Sequence, residues 1–160
     1  MKNKGNISTQ EIQDAQNQWG NTLIAIRKAY AQKQDYKTMT EDLVDKLYSY
    51  NYGENIVLFK PTLAKEIPFR KTKAGAISYF IGDNTEFPED QGFALRPWIK
   101  VEFENDEIIF SNDIAIAMGH YDLTDQNGEL IRAEYTFGYI KDDDNNLRII
   151  LQHSSLPHSG

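Results

Sequence analysis

Apolar residues at Ile12, Ala15, Trp19, Leu23, Ile26 and Tyr30 recur every three or four positions. That spacing lays one stripe along a helix, and the intervening Gln, Asn and Lys residues form its wet face. Ser8 followed by Glu11 is a capping-box pair, which starts this helix and carries it to about Gln32. Leu43, Leu47 and Tyr50 predict a second helix over 36–50, closed by Tyr52-Gly53. Ile56-Val57-Leu58-Phe59 reads as a short strand ended by Pro61. Ile67-Pro68-Phe69-Arg70 is expected to pair back on it as an edge strand, the place where proline is tolerated. Thr72 to Phe80 predicts a third helix, stopped by Gly82. Residues 83–96 are polar and read as a long loop. Four strands follow, over 98–104, 107–120, 129–141 and 146–155. Asn105-Asp106, Asp125-Gln126-Asn127-Gly128 and Asp142 to Asn146 are the turns between them.

Strands joined by tight turns pair antiparallel with their neighbours, so the chain predicts an α+β fold: a curved antiparallel sheet packed against N-terminal helices. This order of elements resembles the nuclear transport factor 2-like fold. That resemblance implies a half-open cone with a pocket between the helices and the concave face. Residues 1–7 are expected to be a flexible N-terminus, 8–157 one domain and 158–160 a tail.

Composition narrows the function. The 160-residue chain is 40% apolar, enough for a core of its own, and carries a net charge of −7. Such a charge repels nucleic acid and anionic membranes, so neither is expected as a partner. Lys65, Arg70, Lys71 and Lys73 form a local basic cluster and read as a solvated loop. The chain has no cysteine, which removes disulfides, thiolate metal sites and thiol nucleophiles. With no signal-like or bilayer-spanning run, the expected setting is cytoplasmic.

Strict alternation along the last strand places Leu147, Ile149, Leu151, His153 and Ser155 on one face. An apolar face would then end in an imidazole and a hydroxyl. A pocket pair and a core histidine bonded to serine are both compatible with that pattern. His120 and His158 sit at a strand end and in the tail, and no histidine spacing suits zinc. Asp142, Asp144 and Asn146 alternate like a calcium loop, but Leu147 and His153 stand where its Gly and Glu belong. Tyr135, Phe137 and Tyr139 form an aromatic row, expected to be a subunit interface.

Gln152-His153-Ser154-Ser155-Leu156-Pro157 resembles the C-terminal signature of iota-class carbonic anhydrases, His-His-Ser-Ser-x-Pro. The Tyr135-Thr136-Phe137-Gly138-Tyr139 strand and Leu147-Arg148-Ile149-Ile150 are also similar to that family. The resemblance implies reversible hydration of carbon dioxide to bicarbonate without a metal or other cofactor, by a homodimer associating through the sheet face. It implies that His153, Ser155, Thr62 and Tyr79 form the catalytic and substrate-binding set. Ser78 and Thr72 are the alternative hydroxyls near the last two. His153 would act as general base, giving roughly a 100- to 10,000-fold effect, while Thr62, Tyr79 and Ser155 orient the water. Gln152 stands where the signature has His; by alternation it faces away from His153 and is expected to matter little to the pocket. The alternatives are a non-catalytic oligomerisation module, like the association domain of calcium/calmodulin-dependent protein kinase II, and a polyketide-cyclase-like isomerase or cyclase.

Overall fold

The computed structural model describes residues 6–160. Helices α1 (Thr9–Ala31), α2 (Tyr36–Leu47) and α3 (Lys73–Ile81) lie against one five-stranded sheet. Its strands are β1 (Leu58–Lys60), β2 (Trp98–Ser111), β3 (Ile114–Asp125), β4 (Leu130–Lys141) and β5 (Leu147–Ser155), in the order β1-β5-β4-β3-β2. The sheet is antiparallel except at its edge, where β1 runs parallel to β5. No described helix is long and apolar enough to cross a membrane.

Local chemistry accounts for the helix ends. Ser8 Oγ accepts from Glu11 N at 3.1 Å and Glu11 accepts from Ser8 N at 2.9 Å, so two free N–H groups are satisfied reciprocally. Ile7, just before the cap, and Ile12 are both buried in the core, the arrangement of a hydrophobic staple. Ile7 is thus anchored in the core, and Asn6 O accepts from Lys141 Nζ at 3.3 Å; residues 1–5 of the expected flexible N-terminus lie outside the described residues. Asp35 and Thr72 cap α2 and α3 through their side chains.

Three expectations need correction. The Ile67–Arg70 strand does not form: Arg70 N bonds Phe59 O at 2.7 Å, but Pro68 has no N–H to continue a ladder. Asn105-Asp106 is a bulge within β2 rather than a turn. Gly119 lies opposite and permits it, since a Cβ there would come 2.0 Å from Glu104 O. The turn falls instead after Ser111, where Asn112 adopts a left-handed φ of 56°.

The third correction concerns the faces of the sheet. Ala115, Ala117, Tyr121 and Leu123 of β3 point inward, with Ala133, Tyr135, Phe137 and Tyr139 of β4 beside them. The aromatic row is core and not an interface: Tyr135, Phe137 and Tyr139 are about 2% exposed or less. Each such ring contributes about 1.5–3 kcal/mol by leaving water. In β5 a second bulge intervenes. Tyr139 pairs with Ile149 and Gly138 with Leu151, so Ile150 has no partner of its own. One extra residue reverses every side chain beyond it. Leu147 and Ile149 face inward before the bulge, and Gln152 and Ser154 face inward after it. His153 is exposed, and Ser155 shares its outer face.

Candidate active site

The inward side chains at the open end of the cone include a cluster of hydroxyls in an apolar setting. Thr62, in the turn after β1, places Oγ1 2.9 Å from the hydroxyl of Tyr121 on β3. Tyr79, near the end of α3, accepts from Leu63 N at 3.2 Å and lies within hydrogen-bonding influence of Thr62. Ser154 of β5 completes the group. It is 0% exposed, and its Oγ makes no well-formed hydrogen bond within the protein, the one such buried side-chain oxygen or nitrogen among the described residues, although it stands close enough to the Tyr121 hydroxyl to act on it. Buried polar atoms are almost always paired, so an unpaired hydroxyl beside two phenols marks a place for a water or a ligand.

Behind this group stands a second set. Trp19 Nε1 donates to Tyr48 OH at 3.0 Å, and Tyr48 OH donates to Gln152 Oε1. All three residues are 2% exposed or less. The Trp19 ring lies 5.5 Å from that of Tyr121, which joins the two sets. Phe59, Phe80 and Phe93 surround the phenols.

Burial dominates the electrostatics. It pushes the phenols of Tyr48, Tyr79 and Tyr121 above their usual range. Ser154 and Thr62 pull Tyr121 part of the way back. The phenols therefore stay protonated through neutral pH and work as hydrogen-bond groups rather than bases. No three His, Asp or Glu side chains converge as a metal site among the described residues.

Ion pairs outside the pocket hold its parts in place. Arg70, 1% exposed, forks onto Asp90 at 2.6 and 2.8 Å and also donates to Gly75 O and Ile67 O. Ser78 donates to the same Asp90 and Thr72 caps α3, so neither offers its hydroxyl to the Thr62 group. Glu89 accepts from three consecutive backbone N–H groups, of Lys65, Glu66 and Ile67. Together these contacts fix the segment between Thr62 and Tyr79. Lys60 Nζ, from the outer face, reaches Thr62 O at 3.4 Å and Ser154 O at 3.3 Å. A cleft of about 490 Å³ runs from the surface at Glu89 and Arg96 to Tyr79 and Leu63.

Thr62 and Tyr79 thus meet in one cluster, whereas His153 and Ser155 do not join them. The bulge at Ile150 turns both to the outer face, and it turns Gln152 and Ser154 in. Gln152 does face away from His153, as expected, but it is Gln152 that faces inward, so the expectation that it matters little to the pocket loses its ground. Tyr121, Ser154, Gln152, Tyr48 and Trp19, which the structure places in or behind this cluster, carried no expectation of a pocket role from the sequence. A usable signal existed in β5: Ile149-Ile150-Leu151 breaks strict alternation, and Gly138 interrupts the strand opposite.

Comparison with known proteins gives consistent results. A family model described as metal-independent carbonic anhydrase matches residues 10–156. A metal-independent carbonic anhydrase from Nostoc sp. is 44% identical over 155 residues, covering 95% of this chain and 75% of that protein. The crystal structure of a cyanobacterial iota-carbonic anhydrase complexed with bicarbonate superposes with a TM-score of 0.92 at 42% identity, covering 97% of this chain and 95% of that one. A putative calcium/calmodulin-dependent protein kinase II association domain from Xanthomonas campestris shares the fold, with a TM-score of 0.59 at 20% identity over 96% of this chain and 91% of its own.

Proposed function

We propose, from the premise that this chain belongs to the metal-independent carbonic anhydrase family, that its reaction takes place among Thr62, Tyr79, Tyr121 and Ser154. The reaction of the family is the reversible conversion of carbon dioxide and water to bicarbonate and a proton. The observation that carries the assignment is the unpartnered, fully buried hydroxyl of Ser154 beside the Thr62–Tyr121 pair. Carbon dioxide is small and apolar, and it suits a pocket walled by aromatic rings with a few aimed polar groups.

In this reading a water sits on Ser154 Oγ and the Thr62–Tyr121 pair, with its oxygen toward the carbon of carbon dioxide. Attack forms the new C–O bond and places negative charge on the carbon dioxide oxygens. Tyr121 donates to Thr62, which leaves the Thr62 proton free to move, and the Ser154 hydroxyl donates to the developing charge. The proton lost by the water passes through the Thr62 and Tyr79 hydroxyls to water in the cleft, each hydroxyl accepting one proton as it releases its own. Fixed geometry supplies most of the acceleration, because the reactants are held together and the donors need no reorganisation. His153 has no part in this scheme, since it lies on the far side of the sheet.

The same reading includes a homodimer in a cytoplasmic setting. The outer face of the sheet supports the first: Leu58 is 64% exposed, Ile109 66% and Met118 57%. An apolar face of that kind is buried by association. A cysteine-free composition suits the second.

Stopped-flow hydration of carbon dioxide with a pH indicator tests the site. Thr62→Val and Tyr79→Phe are each expected to lose about 100-fold in kcat/KM, while His153→Ala keeps the parent rate. Folded Thr62→Val and Tyr79→Phe proteins with unchanged activity would remove the reaction from this pocket.

A further inference from the structure

The Gln152 carboxamide has two chemically different ends, and the structure fixes which end is free. Trp19 Nε1 is a donor only, so the oxygen of Tyr48 must accept its hydrogen. The proton of Tyr48 then needs an acceptor of its own, which in a carboxamide is Oε1. Tyr48 is fully buried, so no solvent competes for that bond. The order Trp19 to Tyr48 to Gln152 therefore runs in one direction, and it ends with the two hydrogens of Gln152 Nε2. Gln152 lies one inward step along β5 from Ser154, beside Phe137 of β4 and Phe59 of β1.

We propose that Trp19 and Tyr48 are positioning residues that hold the Gln152 amide with its N–H groups toward the pocket, making it a selective donor for an oxygen of bicarbonate. The inference rests on the pocket reading given above. A carboxamide free to rotate would present either a donor or an acceptor, and half of its orientations would repel an anionic oxygen. Locked by Tyr48, it presents only donors. Bicarbonate is thereby favoured over ligands of similar size that bring N–H or O–H groups to that spot. Binding gains because the orientation is set before the ligand arrives.

The test combines kinetics and nitrogen-15 NMR. Tyr48→Phe frees the amide and is expected to raise the KM for bicarbonate in the dehydration direction about tenfold. Gln152→Met is expected to raise it by a similar factor. If Tyr48 acts through Gln152, adding Tyr48→Phe to Gln152→Met raises the KM no further. Independent, multiplying effects would overturn the proposal. Gln152→Glu keeps the bond from Tyr48 and, assayed at alkaline pH where the buried carboxyl has ionised, turns an anionic oxygen to the pocket. It is expected to weaken bicarbonate binding more than Gln152→Met does, and equal or tighter binding would overturn the proposal. Should Tyr48→Phe fail to fold, the Gln152→Glu comparison decides alone. In the parent protein the Gln152 Nε2 protons should shift on titration with bicarbonate. Shifts elsewhere in the pocket with an unmoved Gln152 would reject the donor role while leaving the pocket reading intact. No shift in the pocket and no hydration activity would reject the pocket reading itself.

Discussion

Ser154→Ala should raise stability and lower activity together. The substitution deletes one oxygen from a position with 0% exposure and no protein partner. A pocket water held on this hydroxyl offsets only part of the cost of about 1–3 kcal/mol for a buried polar group without a protein partner, and deleting the oxygen relieves the remainder. The methyl group that remains keeps most of the packing. A net gain of about 1–2 kcal/mol moves the midpoint of a 160-residue chain upward by about 2–8 °C. The same oxygen is one of the groups that orient the attacking water, so kcat/KM should fall about 100-fold, as for loss of one aimed hydrogen-bond group. Differential scanning calorimetry gives the first quantity and stopped-flow hydration the second. A lower midpoint with unchanged turnover would refute the reasoning and make Ser154 a structural hydroxyl. The expected opposition of the two effects is the usual mark of a site that carries unsatisfied polarity for a ligand.

Two further expectations follow from the core and the outer face. Burial holds the phenols of Tyr48, Tyr50, Tyr79, Tyr121, Tyr135 and Tyr139 above their usual range. The unfolded chain releases these protons near pH 10 and the folded chain keeps them. Stability is therefore intact below about pH 10 and is lost above it, at up to about 1.4 kcal/mol per pH unit for each phenol. Alkaline titration followed by circular dichroism and phenolate absorbance should show these rings ionising in the unfolding step; ionisation near pH 10 in a folded protein contradicts it. On the outer face, Met118→Glu should convert a dimer of 18.4 kDa chains into monomers by light scattering. A parent protein that is monomeric to begin with removes the basis for that surface.

Much of the architecture was legible because its signals are local. The Ser8–Glu11 box, the Trp19–Leu23–Ile26 stripe, the Thr72 cap and the turn at Gly128 each act within a few residues. The site was legible only in part. Thr62 and Tyr79 were reached through resemblance, and the structure places both beside Tyr121. His153 and Ser155 were also reached through resemblance, and strict alternation put them on the face of Leu147 and Ile149, a rule that holds only while each residue has a partner across the ladder. Ile150 has none, so the rule fails at the position where it was needed. Tyr48 and Trp19 were out of reach for another reason. Tyr48 meets Gln152 from 104 positions away in the chain and Trp19 meets Tyr48 from 29, and no local pattern encodes such meetings.

The bulge at Ile150 also divides the C-terminal segment into two interleaved halves. Gln152 and Ser154 belong to the interior, while His153 and Ser155 belong to the opposite side of a wall one residue thick. The chain has no cysteine, so His153→Cys would introduce a single thiol on that outer side. A fluorophore or spin label attached there would be one peptide unit from the chemistry without standing in its path. Because His153 shares its register with Met118 across β4, the same label would also report when two copies meet through that face.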